Sequence, residues 1–185
     1  NIYGSVDYDP VGHLVKYGKF CRGKDKSFEH ARSIINATEH LPNFDALTVH
    51  AGHIKNAGST IIQELGYGLA MGAEYLTRLT EMGMSVDEVA PKIRFNFATG
   101  PIYFMEIAKI RAARLLWAHI VNAYGPKDAG ITKMTIHSSN ASWNKTIYDP
   151  YVNMLRTTTE TMSSTLGGVN SFTVLPFNAV YEERT

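Results

Sequence analysis

The chain has 185 residues, 44% hydrophobic and 19% charged, enough for one globular domain or a piece of a larger one with a sizeable core. A net charge of +1 without runs of like charge makes nucleic acid and anionic membrane surfaces poor partners. The single cysteine, Cys21, can form neither an internal disulfide nor a Cys-rich zinc site, and it leans towards a reducing, cytoplasmic location.

Ile2 to Tyr8 reads as a strand already under way at the first residue, so the chain is expected to be a segment of a longer polypeptide. Asp9-Pro10 follows, an N-cap acceptor before a proline suited to the first helical position. Ala46 to His53 reads as a second strand. Gly58 to Met82 reads as a helix, with Ile61, Ile62, Leu65, Leu69, Leu76 and Leu79 on a broad apolar face. Within it Gly66, Gly68 and Gly72 each cost roughly 1 kcal/mol relative to alanine, and close approach to a neighbouring backbone is the expected reason. Ile93 to Thr99 is a third strand. Tyr103 to Tyr124 is a helix stopped by Gly125-Pro126; Lys109, Arg111 and Arg114 interrupt its apolar run, ruling out a membrane span, and are expected to form its solvated side. Met134 to Ser138 is a fourth strand. Asp149-Pro150 opens a last helix, which runs to about Leu166 and ends at Gly167-Gly168, and Ser171 to Leu175 is a fifth strand.

The alternation of strand and helix predicts an α/β fold around a parallel sheet. Both a (β/α) barrel and a doubly wound sheet fit. Five strands fall short of the eight, and 185 residues of the roughly 250, that a closed barrel uses, which again points to a piece of something longer.

In either architecture function gathers at the strand ends. There lie His50 and His53, Thr99-Gly100-Pro101, His137-Ser138-Ser139-Asn140, and Thr173 to Pro176. These groups are mostly small and neutral, suited to hydrogen bonding a ligand. Paired carboxylates for hydrolysis and a cysteine nucleophile are missing. On a strand, His50 and His53 point to opposite faces, so no metal site is expected from them.

Several segments together resemble one family. Asn56-Ala57-Gly58 with the helix after it, Phe95 to Gly100, the run Phe104-Met105-Glu106-Ile107-Ala108-Lys109-Ile110-Arg111-Ala112-Ala113-Arg114-Leu115-Leu116-Trp117-Ala118, and Ser142-Trp143 ahead of Asp149-Pro150-Tyr151 are similar to adenosylcobalamin-dependent methylmalonyl-CoA mutases. The resemblance covers nearly the whole chain in order and spacing. It implies that residues 1–185 are part of a TIM (β/α)8 barrel, about strands 4 to 8, parallel, which encloses an acyl-CoA. It also implies an intact complex that interconverts methylmalonyl-CoA and succinyl-CoA by a radical rearrangement begun at the cobalt-carbon bond. Cobalamin would be held by a separate domain through an Asp-x-His-x-x-Gly motif that this sequence lacks, so no cofactor is expected on this segment alone.

The resemblance extends to a heterodimer, in which a large catalytic subunit pairs with a related small one. Departures from the catalytic pattern favour the small, non-catalytic subunit. The catalytic form has Gly-Tyr-His where this chain has Ala51-Gly52-His53, so the histidine expected at the thioester is kept, as a vestige, without its tyrosine neighbour. The arginine expected to meet CoA is replaced by Thr135, and a strand-eight histidine by Thr173. Asp7 stands where an amide is expected near the substrate carboxylate, and a carboxylate there would repel it. His137, Ser138 and Asn170 are the remaining candidates for contact with substrate. The rival implication is a catalytic acyl-CoA mutase of altered substrate specificity, which the retained His53 would serve.

Overall fold

The computed structural model describes residues 3–179. Five strands, β1 Gly4–Tyr8, β2 Phe44–His50, β3 Ile93–Thr99, β4 Thr135–Asn140 and β5 Ser171–Thr173, form one sheet in the order β1-β2-β3-β4-β5, and every neighbouring pair is parallel. Helices α1 Pro10–Tyr17, α2 Lys24–Ala37, α3 Gly52–Asn56, α4 Ile61–Glu81, α5 Val86–Val89, α6 Tyr103–Ala123 and α7 Pro150–Gly167 lie between them. A doubly wound sheet needs the strand order to reverse, and this one never does. Right-handed crossovers between sequential neighbours put every helix on one face, which makes the sheet a curled part of a TIM-like barrel rather than a doubly wound sheet.

The core sits between that face and the helices. Leu47, Val49, Ile93, Phe95, Phe97 and Ile136 alternate along the strands and pack against Tyr75, Leu76, Ile110 and Trp117, as the period of two requires. Gly72 is needed where α4 crosses these rings, because a Cβ there would stand 2.6 Å from Phe95 Cζ and 2.8 Å from Trp117 Cζ3. The close neighbours are therefore side chains rather than the expected backbone. Gly66 has nothing within 4 Å, and nothing in the structure explains it.

The helix predicted from Gly58 to Met82 begins at Ile61, where Thr60 and Gln63 form a capping box. Asp9 caps α1 as expected, accepting from Gly12 N–H at 2.7 Å. Asp149 makes no side-chain cap at α7, although Pro150 does occupy the first turn.

The structure corrects the reading of the α6 cations. Lys109 is fully buried and donates to Glu64 Oε2 at 2.6 Å and to the Ala98 carbonyl at 2.9 Å, and it pairs with Glu106 Oε2 at 2.6 Å. Arg114 is half-buried and donates to the Met134 carbonyl and to Asn170 Oδ1. Only Arg111 is exposed. The helix is apolar nearly all round, so position on its wheel does not tell solvent from core.

Candidate functional site

The sheet face that the helices leave uncovered is polar, and the strand register arranges it in rows. Thr48, Arg94 and Thr135 are aligned across β2, β3 and β4. One step towards the C-terminal ends, His50, Asn96, His137 and Ser171 are aligned. Beyond them Ala98, Ser139 and Thr173 are all small. A filled TIM-barrel core has bulky branched residues at such positions; here polar side chains replace them in the first two rows and small residues in the last.

Neighbours on this face bond to one another. Asn96 Nδ2 lies 3.2 Å from His50 Nδ1, and His137 Nδ1 lies 2.7 Å from Ser171 Oγ, with Thr173 Oγ1 3.2 Å from His137 Nε2. Thr48 Oγ1 donates to Asp7 Oδ1 at 3.1 Å, and Arg94 Nη2 donates to the same oxygen. Asp7 is turned inward at an irregularity in β1, where three steps from Ser5 to Tyr8 match two from Asp45 to Leu47 on β2. Such bulges re-aim side chains.

At the C-terminal ends, β2 stops at His50 and the chain turns directly into α3. His50 and His53 therefore do not diverge as they would on one continuous strand; their rings stack at 5.2 Å. With Asp7, Asp9, His13 and Lys16 they line a cavity of about 200 Å³. Burial holds the His53 pKa below the ordinary 6.5, with the nearby His50 and Lys16 acting in the same direction and Asp9 opposing them. Burial also lowers His137, with help from Arg94 and against Asp7. Both are thus mainly neutral imidazoles at pH 7, His137 hydrogen-bonded to Ser171 and Thr173 and His53 stacked on His50.

The linkage sign follows from these shifts. Below 6.5 the unfolded chain takes up protons that the folded chain resists, so stability falls as the pH drops through that region. Imidazole titration by NMR should give midpoints below 6.5 for both His53 and His137; a midpoint at or above it would contradict the burial argument.

The remaining predicted residues separate. Ser138 is fully buried on the helix side, bonded to Thr99 Oγ1 and the Phe97 carbonyl, one residue out of phase with the open face. Asn170 lies at the opposite rim, near the N-terminal ends of the strands. Its side-chain oxygen accepts from Ile136 N–H at 2.9 Å and from Arg114, so it knits β4 to the start of β5. Arg94 and Asn96, which no sequence motif marks, are the residues the strand register adds.

The loops above the face are tied down. Fully buried Glu160 accepts from Asn140, Asn144 and Lys145 at 2.6–2.7 Å, anchoring the loop after β4 to α7. Asn56 Oδ1 accepts from Ser142 N–H at 2.9 Å, joining α3 to that loop. No group of three or more His, Cys, Asp or Glu side chains able to hold a metal occurs among the described residues.

Comparison with known proteins agrees with this architecture. The methylmalonyl-CoA mutase family matches residues 1–184. A methylmalonyl-CoA mutase small subunit from Porphyromonas gingivalis is 46% identical over 98% of this chain and 29% of its own length. A small subunit from Streptomyces virginiae is 37% identical over 96% of this chain and 28% of its own. A large subunit from Porphyromonas gingivalis is 40% identical over 72% of this chain and 19% of its own. The chain thus spans less than a third of the length of these relatives. Strand order, an open polar face and a match from end to end converge: this chain belongs to the methylmalonyl-CoA mutase family.

Proposed function

We propose that the chain is part of the barrel of the small, non-catalytic subunit of a cytoplasmic heterodimeric methylmalonyl-CoA mutase. In the intact complex, methylmalonyl-CoA and succinyl-CoA are interconverted on the large subunit, and this chain serves as scaffold for that partner. The carrying observation is the condition of the open face. The position expected to hold a CoA-binding arginine is Thr135, and Arg94, on the neighbouring strand, is engaged by Asp7. His53 remains as the vestige of a catalytic group, and His137 faces the space where substrate would lie.

Adenosylcobalamin, when bound in the complex, would supply the radical chemistry. The residues of this chain do not fit its cobalt-ligating face. None of the seven histidines stands in an Asp-x-His-x-x-Gly sequence. The two nearest the strand ends stack on each other, and neither has the carboxylate partner that orients most metal-ligating imidazoles.

The test is turnover by purified subunits. The full-length small subunit with adenosylcobalamin should be inactive alone and should copurify with an active large subunit; turnover by the small subunit alone would overturn this reading. The rival, an acyl-CoA mutase of altered specificity, draws on the half-buried neutral His53. It predicts that His53→Ala abolishes acyl-CoA turnover.

A further inference from the structure

Arg94 is the one formal cation projecting from the open face of the five strands, and its surroundings are unusual. Its side chain is only 15% exposed, whereas that of its partner Asp7 is 59% exposed. The pair uses Nη2 alone, and Arg94 Nε is buried with no hydrogen-bond partner. Two residues along the same strand face, Asn96 Oδ1 is also buried and unpartnered, its amide nitrogen being directed to His50. The open Asn96 oxygen is an acceptor and offers an anion nothing, but the buried Arg94 donor left open is costly and calls for an explanation. An arginine fork with a free edge is shaped for a second anionic oxygen.

We propose that Arg94 is a masked anion site in which the carboxylate of Asp7 acts as an internal pseudo-ligand. Asp7 is thereby the specificity-determining residue of the open face. It fills the place that a carboxylate or phosphate of an anionic acyl thioester would take on the guanidinium. Asp45, at the N-terminal end of β2, senses Arg94, Lys92 and Asp7, so the charges around the pair are close to balanced and the obstacle an incoming anion meets is the Asp7 carboxylate already seated on Arg94. The mask is removable, since Asp7 is reached from solvent, carries no strand hydrogen bond through its side chain, and is held only by Thr48 and Arg94. Asparagine at position 7 keeps the shape and the Thr48 hydrogen bond while removing the charge.

The test is binding rather than turnover, so it stands apart from the activity test above. Full-length small subunit is titrated calorimetrically with coenzyme A and, separately, with succinate. Asp7→Asn should bind at least one of them roughly tenfold or more tightly than the parent, in line with release of one charge-assisted contact. Asp7→Glu, which keeps the mask, should show no gain. A gain for succinate identifies a carboxylate subsite, and a gain for coenzyme A alone identifies a phosphate subsite. The gain should vanish in Asp7→Asn/Arg94→Gln. Should that double variant misfold, loss of the gain on raising salt from 50 to 200 mM serves instead. No gain in Asp7→Asn, or a gain that survives loss of Arg94 or the added salt, overturns the proposal.

Discussion

Lys109→Met is expected to destabilise the folded subunit by about 3–5 kcal/mol, the range for removing one partner of a fully buried charge cluster. Lys109, Glu64 and Glu106 are all inaccessible to solvent. The two carboxylates are also held by backbone donors, Glu64 by Ala98 N–H at 2.8 Å and Glu106 by Gly100 N–H at 3.0 Å. Lys55 stands a further 3.9 Å from Glu106. Burial already pushes the Glu64 pKa up despite the attraction of Lys109, so loss of the ammonium leaves two acids that must bury charge or take up protons. Chemical denaturation of the full-length subunit reads the loss. Glu64→Gln/Lys109→Met should recover much of it, because Glu106 then keeps the buried Lys55 as its counter-charge and removing a buried acid and base together is far less costly than removing one of them. A loss below about 1 kcal/mol in the single variant would mean that the cluster is not desolvated as the structure has it.

Asp9→Ala should cost about 2–4 kcal/mol, from one helix cap of about 1 kcal/mol and a buried hydroxyl deprived of its acceptor at about 1–3 kcal/mol. One carboxylate serves three elements here. It caps α1 through Gly12 N–H, accepts from Tyr75 Oη of α4 at 2.5 Å, and accepts from His50 N–H at the end of β2 at 2.9 Å. Tyr75 in turn accepts from Val11 N–H at 3.1 Å, and its own pKa is pushed well up by burial and by Asp9. Because His50 leads into α3, the same variant should shift the His53 imidazole resonances in NMR spectra. An Asp9→Ala protein of unchanged stability and spectrum would remove Asp9 from this role.

Both effects concern residues whose neighbours are distant in sequence, and that separation explains what could be read directly and what could not. The third strand was legible to the residue, Ile93–Thr99, because a strand buried on its helix side and bounded by proline and glycine leaves few alternatives. The proline and glycine boundaries of α6 and α7 were legible for the same local reason. Helix α2 was not marked: its buried set is only Ser27, Phe28, Ala31 and Ile35, too sparse for a clear period. Of the site, His53 and His137 were visible as polar groups near strand ends. Ser138 was misplaced because the choice between faces turns on a single residue of register.

The amino-acid sequence by itself determined the fold class, the order of the five strands and the family, since these rest on local periodicity, chain punctuation and motifs contiguous along the chain. Only the tertiary structure decided that Lys109 is interior, that His50 and His53 stack, and that Asp7 meets Arg94. Each depends on which groups from separate strands and helices share a space. The energy of a charge depends on that space far more than on its neighbours along the chain.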